Sequence, residues 1–185
     1  MFGIKKLFRN LPMKSNLLLF LSFFIFNSIQ SQEVLIKKAI QVQSKYCVKN
    51  TKYVVLIDYS KSILSDRLFV VDVQNKKIVL ISTVSHAFNS GLQYATKFSN
   101  MEGTLMSCIG AFETKSTYYG QFGYSLIVKG LDKGINSNAE PRKIIFHSAQ
   151  KMKTKWSWGC FATPEETNKK LIDLIKNGCL VYVYK

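Results

Sequence analysis

A mainly β fold carrying a few helices, of the α+β class, is predicted by three features of the sequence. Short apolar runs rich in Val, Ile, Leu and Phe recur between turn-forming residues, as strands do. One segment near the C-terminus carries helix start and stop signals in the right order. The middle, from Ala87 to Gly123, is rich in Gly, Ser, Asn and Tyr with only short apolar runs, a composition that predicts long loops over a surface or site. At 185 residues, 47% hydrophobic and 13% aromatic, the chain suits one globular domain with a sizeable core, which argues against disorder and a multi-domain layout.

The first element is an apolar run, Asn16 to Phe26, preceded by Lys5, Lys6, Arg9 and Lys14, which is the pattern of a secretory signal peptide. On a helix this run rises roughly 16 Å, about half of the roughly 30 Å hydrocarbon core, which disfavours a permanent span. Residues 1–31 are therefore expected to be a signal peptide, cut near Ser31-Gln32 and starting at Met1 or at Met13. Glu33 to Tyr46 spaces Val34, Leu35, Ala39, Ile40 and Val42 as an amphipathic helix does, so 32–50 is read as a helical lead-in to a single domain over 51–185.

Strand character follows at Tyr53–Ile57, Arg67–Val73 and Lys77–Val84, read as an antiparallel meander, and returns at Tyr124–Val128 and Lys143–His147. Thr163-Pro164-Glu165-Glu166 offers a capping threonine, a proline in the first turn and a glutamate three residues after the cap, predicting a helix to Lys176. Asn177-Gly178 supplies the left-handed stop, and Cys179–Tyr184 reads as a final strand.

The formal charge is +15, and loss of residues 1–31 would remove four basic and no acidic side chains, leaving +11. Such a charge favours anionic partners. In an exported protein these are the cell-wall surface and lipid headgroups rather than nucleic acid, with a solvated basic face as the plain alternative. The four cysteines, Cys47, Cys108, Cys160 and Cys179, contain no CxxC pair and are too few for a disulfide scaffold. Three pairings are open, and Cys47, Cys108 and Cys179 are expected to be packing residues.

Only two histidines occur, His86 and His147, so any imidazole chemistry uses one of them. His147 ends an apolar strand. Cys160 lies thirteen residues later in Ser157-Trp-Gly-Cys, just before the capped helix. A thiol that gives its proton to a neutral imidazole becomes a strong nucleophile, so this pair suffices for acyl transfer. Gly159, without a Cβ, permits a tight turn that presents the amides of Gly159 and Cys160 to an oxyanion. The same two side chains also fit a buried, inert Cys and His.

The segment from Ile144 to Thr163, with His147 at a strand end followed by Ser157-Trp-Gly-Cys160, resembles the L,D-transpeptidase signature. The resemblance continues upstream through Val84–Gly91, Phe98–Thr104, Gly110-Ala-Phe, Tyr118–Leu126, Gly130–Asn136 and Ala139…Arg142. It is similar to the murein L,D-transpeptidase catalytic-domain subgroup over Tyr53 to Thr163. That likeness implies a β-sandwich or barrel with a helix after the catalytic cysteine, and acyl transfer on peptidoglycan stem peptides. It implies Cys160 as nucleophile, His147 as general base and acid, Gly159 and Cys160 as oxyanion donors and Ser157 as the turn serine, with no metal or organic cofactor. His86, Tyr119, Tyr124, Arg142 and Trp158 are candidates to line the substrate. Ser148 stands where a glycine is common, and Phe161-Ala-Thr replaces an apolar residue followed by arginine, so Arg142 or a lysine would have to meet a substrate carboxylate. Other classes fare less well. A sortase needs an arginine after the cysteine, and a zinc amidase needs more ligands than two histidines without ligand spacing. A non-catalytic, basic cell-wall-binding module is the remaining alternative.

Overall fold

The computed structural model describes residues 29–150, 152 and 154–185. The expected signal segment lies outside the described residues up to position 28. The chain divides into two compact units, 1–35 and 36–185. Helical backbone covers 29–43, close to the predicted 33–46, and its part over 36–43 (α1) belongs to the second unit and buries Ala39 and Val42.

The second unit is built on one mixed sheet. Its strands are β1 (Asn50–Asp58), β2 (Leu68–Asp72), β3 (Lys77–Ser82), β4 (Gly110–Gly120), β5 (Gly123–Gly130), β6 (Ile145–Ser148), β7 (Phe161–Thr163) and β8 (Cys179–Tyr184). Helix α2 (Glu165–Ile175) follows β7. The spatial order is β3-β2-β1-β8-β4-β5-β6-β7, and the sheet curls into a half-barrel. The first three strands form the expected antiparallel meander. Beyond it, β8 returns between β1 and β4, parallel to the first and antiparallel to the second. The α+β reading with few helices therefore stands.

Two strands replace predicted loop or helix entry. Residues 110–120, read as loop, form the eleven-residue β4. Its polar run Glu113-Thr-Lys-Ser-Thr hides the strand because the buried member, Thr114, is satisfied: its hydroxyl donates to Ile175 O at 2.6 Å and accepts from the Cys179 amide at 2.8 Å. The loop reading holds for 87–109, apart from a 3₁₀ turn at Phe88–Ser90. Thr163, predicted as the helix cap, is the last residue of β7. Its hydroxyl goes to the Asn168 side chain at 3.3 Å, and Pro164 occupies the cap position with no side-chain cap. Glu165 and Glu166 still favour the positive helix start. The helix ends one residue earlier than expected, and Asn177 and Gly178 take the left-handed conformation foreseen for the stop, with φ 66° and 91°.

Helix α2 lays Leu171, Ile172 and Ile175 on the concave side of the sheet among Leu126, Phe112 and Phe146. Phe161 meets Phe146 at 4.8 Å and Phe112 at 5.5 Å between ring centroids. Phe146 and Phe161 are the chain neighbours of His147 and Cys160, so burial of these rings anchors the backbone that carries those two side chains.

Candidate active site

Cys160 closes the turn that leads into β7, and hydroxyl groups fix its backbone from two directions. Ser157 Oγ donates to Cys160 O at 2.7 Å and accepts from the Gly159 amide at 3.2 Å. Ser85 Oγ donates to the same Cys160 carbonyl at 3.1 Å, and Ser85 N donates to Ala162 O at 2.8 Å. The Ser157 amide donates to His86 O at 2.9 Å, so the segment 85–88 flanks the turn like a further strand. Ser157 therefore shapes the turn, as its place in the motif suggests.

Gly159 has φ 130°, and a Cβ on it would lie 2.7 Å from Ile144 Cδ1. Both the left-handed backbone and the neighbouring apolar side chain exclude a larger residue. Gly159→Ala is expected to cost about 1–3 kcal/mol of stability, read as a lower denaturation midpoint. A midpoint equal to the parent's would contradict this account of the turn.

The Cys160 side chain is partly exposed, and its thiol points to Lys143 O at 3.5 Å. Lys143 takes a left-handed backbone, φ 54°. Burial pushes the thiol above the ordinary cysteine range, while the Ile145 amide and the Arg142 guanidinium act in the opposite sense by favouring the thiolate. The net direction is upward, so the resting group is a neutral thiol.

His147 is buried on β6, which pairs in parallel with β7 as Phe146 to Phe161 and His147 to Ala162. One step back along that register sets Cys160 beside Ile145. Alternate residues of a strand share a face, so that register, continued to Cys160, runs to the face of β6 that carries Ile145 and His147. His147 Nδ1 lies 2.8 Å from Ser148 O. A carbonyl only accepts, so Nδ1 carries the proton and Nε2 is left as the basic nitrogen. Burial holds the imidazole below its ordinary range, with the Ser148 contact opposing that shift. Among the described residues no hydrogen bond joins thiol and imidazole. The pair rests as two neutral groups rather than as a preformed ion pair.

The other expected residues fall in several places. The Gly159 amide is engaged by Ser157 Oγ, whereas no hydrogen bond among the described residues uses the Cys160 amide. His86 does not line an open site. It is fully buried, with Nε2 2.9 Å from Gly91 O and Nδ1 3.0 Å from an Arg67 nitrogen, so neither ring nitrogen is free to act as a base. Arg142 gives its guanidinium to Ser99 O at 2.6 Å, to Cys108 Sγ at 2.8 Å and to Met106 O, tying the loop 99–108 to the segment before β6 rather than reaching outward. Tyr124 donates its hydroxyl to Asp173 of α2 at 3.0 Å, and Tyr119 stacks on Tyr124 at 5.2 Å while remaining 80% exposed. Trp158, two positions before Cys160, is exposed and forms, with Trp156, Phe88, Leu105, Asn89 and Thr154, the wall of a cavity of about 210 Å³.

All four cysteines are free thiols. Cys108 and Cys179 are buried as expected of packing residues, but Cys47 is exposed, because it follows α1 on a solvent-facing turn. Two residues of the site escaped sequence reasoning. Phe122 stacks on His147 at 4.4 Å, and Arg67 lies fully buried behind the turn. The one signal for Phe122 was its place between Gly120 and Gly123 in the tip of a hairpin.

Residues 27–184 match the family described as L,D-transpeptidase catalytic domain. The chain belongs to this family. Solved structures agree in fold. The helical cell shape determining protein Pgp2 from Campylobacter jejuni is 13% identical, with a TM-score of 0.52 over 75% of this chain and 49% of that one, and a variant of the same protein gives 0.53. An L,D-transpeptidase from Stackebrandtia nassauensis is 15% identical over 77% of this chain and 60% of that one, with a TM-score of 0.46. This L,D-transpeptidase domain thus spans about half the length of Pgp2. A comparison with curated protein sequences gives no match.

Proposed function

We propose that this L,D-transpeptidase domain is an exported peptidoglycan acyltransferase that uses Cys160 as nucleophile and His147 as general base and acid. What supports the reading is the β6–β7 register, which continued one step before Phe161 brings Cys160 to the face of His147, together with a partly exposed thiol and an imidazole whose Nδ1 is held by the Ser148 carbonyl. In the first step the thiol leaves the Lys143 carbonyl and gives its proton to His147 Nε2, as sulfur attacks the carbonyl at the L-centre of the third stem residue. The Cys160 amide receives the oxyanion. His147 returns the proton to the departing amine of the terminal D-residue, which leaves a cysteinyl thioester. An amine from a second stem, or water, then resolves the thioester, giving transpeptidation or carboxypeptidation. Nothing in this sequence of steps calls for a metal or an organic cofactor.

The partners in this reading are peptidoglycan stems and the anionic wall surface, attracted by the basic charge, with location in the periplasm or cell envelope. Among the described residues no helix is long and apolar enough to cross a membrane. The reading divides the chain into a signal peptide over 1–31, the lead-in over 32–50 and the catalytic domain over 51–185.

The deciding experiment is incubation of the protein with purified peptidoglycan and mass analysis of released and joined stem peptides. Intact-mass labelling with a β-lactam of the carbapenem class should show one acyl group on the parent and none on Cys160→Ala, while Cys47→Ala, Cys108→Ala and Cys179→Ala retain it. Acylation of another cysteine would refute the assignment, and absence of any would favour a wall-binding module. Export has a separate test: a fusion retaining residues 1–31 should leave the cytoplasm and lose that segment, and an uncut cytoplasmic product would end the cell-wall reading.

A further inference from the structure

The tip of the β4–β5 hairpin is a two-residue turn, Gln121-Phe122, closed by the pair Gly120 and Gly123. Gly123 has φ 79°, a left-handed backbone that favours glycine, while a Cβ on Gly120 would meet only the mobile end of the exposed Tyr118 ring. This turn carries the Phe122 ring across to β6, where it lies on the His147 ring with centroids 4.4 Å apart and planes inclined by 26°. The edge of the imidazole is held by Ser148 O through Nδ1. An imidazole on a strand has two torsions to fix, and a single hydrogen bond leaves rotation about that bond open. The stacked face removes it.

We propose that Phe122 is a positioning residue for the reaction: by lying on the His147 ring it holds the imidazole in the plane and tautomer that leave Nε2 available to the Cys160 thiol. The inference rests on His147 acting as the base, yet it makes a claim about ring geometry that does not depend on turnover. A protonated imidazole formed during attack would also be met by the π face of Phe122, an arrangement that favours the cation. The gain is in orientation, since displacement of a catalytic group by about 1 Å commonly costs on the order of 10²-fold in rate.

The test uses the full chain, with ring nitrogens labelled by ¹⁵N-histidine. Parent protein should show His147 as a single Nδ1–H tautomer with ring protons shifted upfield by the neighbouring aromatic face. In Phe122→Ala the upfield shift disappears and the nitrogens move towards the averaged values of a free imidazole, while Phe122→Tyr keeps both signatures. His86, buried elsewhere, serves as an internal reference in the same spectra. The acylation rate constant of Cys160, measured apart from reversible binding of the β-lactam, should fall about tenfold or more in Phe122→Ala and recover in Phe122→Tyr. Tyr119→Ala, on the same hairpin, controls for loss of the hairpin itself and should leave the His147 signals in place. If Phe122→Ala leaves the tautomer and ring shifts of His147 unchanged, the proposal is overturned. If those signatures respond but the parent never acylates, the positioning stands and the transpeptidase reading falls instead.

Discussion

The expected result of His147→Ala is loss of Cys160 acylation by about 10²–10⁴-fold, the range that removal of a positioned base commonly costs. The prediction is motivated by the Nδ1 contact to Ser148 O, which leaves Nε2 as acceptor. Its signature is in the pH dependence. Protonation of Nε2 removes the base, so the rate falls as pH drops through the imidazole pKa. Because burial depresses that pKa, the acid limb of the parent should lie below the roughly 6.5 of a free imidazole. Ionisation of Cys160 is displaced the other way by burial, so the neutral pair that begins the reaction persists past the roughly 8.5 of a free thiol. His86→Ala should leave the acid limb where it is, since both nitrogens of that ring are engaged by Gly91 and Arg67. An acid limb that survives in His147→Ala and moves in His86→Ala would assign the base to the wrong histidine.

Arg67→Ala should be the most damaging substitution outside the reactive pair. The guanidinium is fully buried, donates twice to Val84 O at 3.0 and 2.6 Å and once to Lys61 O at 3.1 Å, and meets His86 Nδ1 at 3.0 Å. Its charge also lies 4.8 Å from the centre of the Tyr59 ring, whose hydroxyl burial pushes up to about 12. Alanine would leave two buried acceptors, Val84 O and His86 Nδ1, without their donor, each costing about 1–3 kcal/mol, together with a cavity and the loss of the part-buried bond to Lys61 O. A loss of roughly 4 kcal/mol or more corresponds to a melting temperature lower by about 10 °C in a domain of this size. Arg67→Lys should recover only part of it, because an ammonium lacks the fork that serves two carbonyls and a ring nitrogen at once. A melting temperature for Arg67→Ala within about 2 °C of the parent would show that the network is dispensable. Acylation should fall along with stability, as Val84 to His86 carry the Ser85 hydroxyl and the His86 carbonyl that hold the nucleophile turn.

The proposed pair, Cys160 and His147, could be singled out in the sequence because its residue types are scarce. With two histidines and four cysteines, a strand-ending His147 and a Gly159-Cys160 turn leave few alternatives, and short apolar runs between turn-formers mark β1, β2, β3, β5, β6 and β8 directly. Strand β4 was not legible, since Thr114 is buried by hydrogen bonds to the end of α2 and to β8 rather than by apolar character. Thr163 offered a cap pattern, but pairing with Ser148 in the β6–β7 ladder claimed it first. Arg67 reads in sequence as a charge at the start of a strand. Its acceptors come from Lys61, Val84 and His86, positions that only the folded chain brings together. The aromatic residues selected by composition, Tyr119 and Tyr124, proved to stack on each other with a hydroxyl bound to α2, whereas Phe122 beside them reaches the imidazole.

Strand β8 lies in the middle of the sheet, between β1 and β4, although it is the last strand in the chain. Without β8 the strands β1–β3 and β4–β7 share no ladder, and each group has an edge that only β8 pairs. Pairings between residues so distant in sequence form slowly. The core therefore closes only when β8 takes its place, and a binding partner that protects unpaired edges before then has two of them to cover.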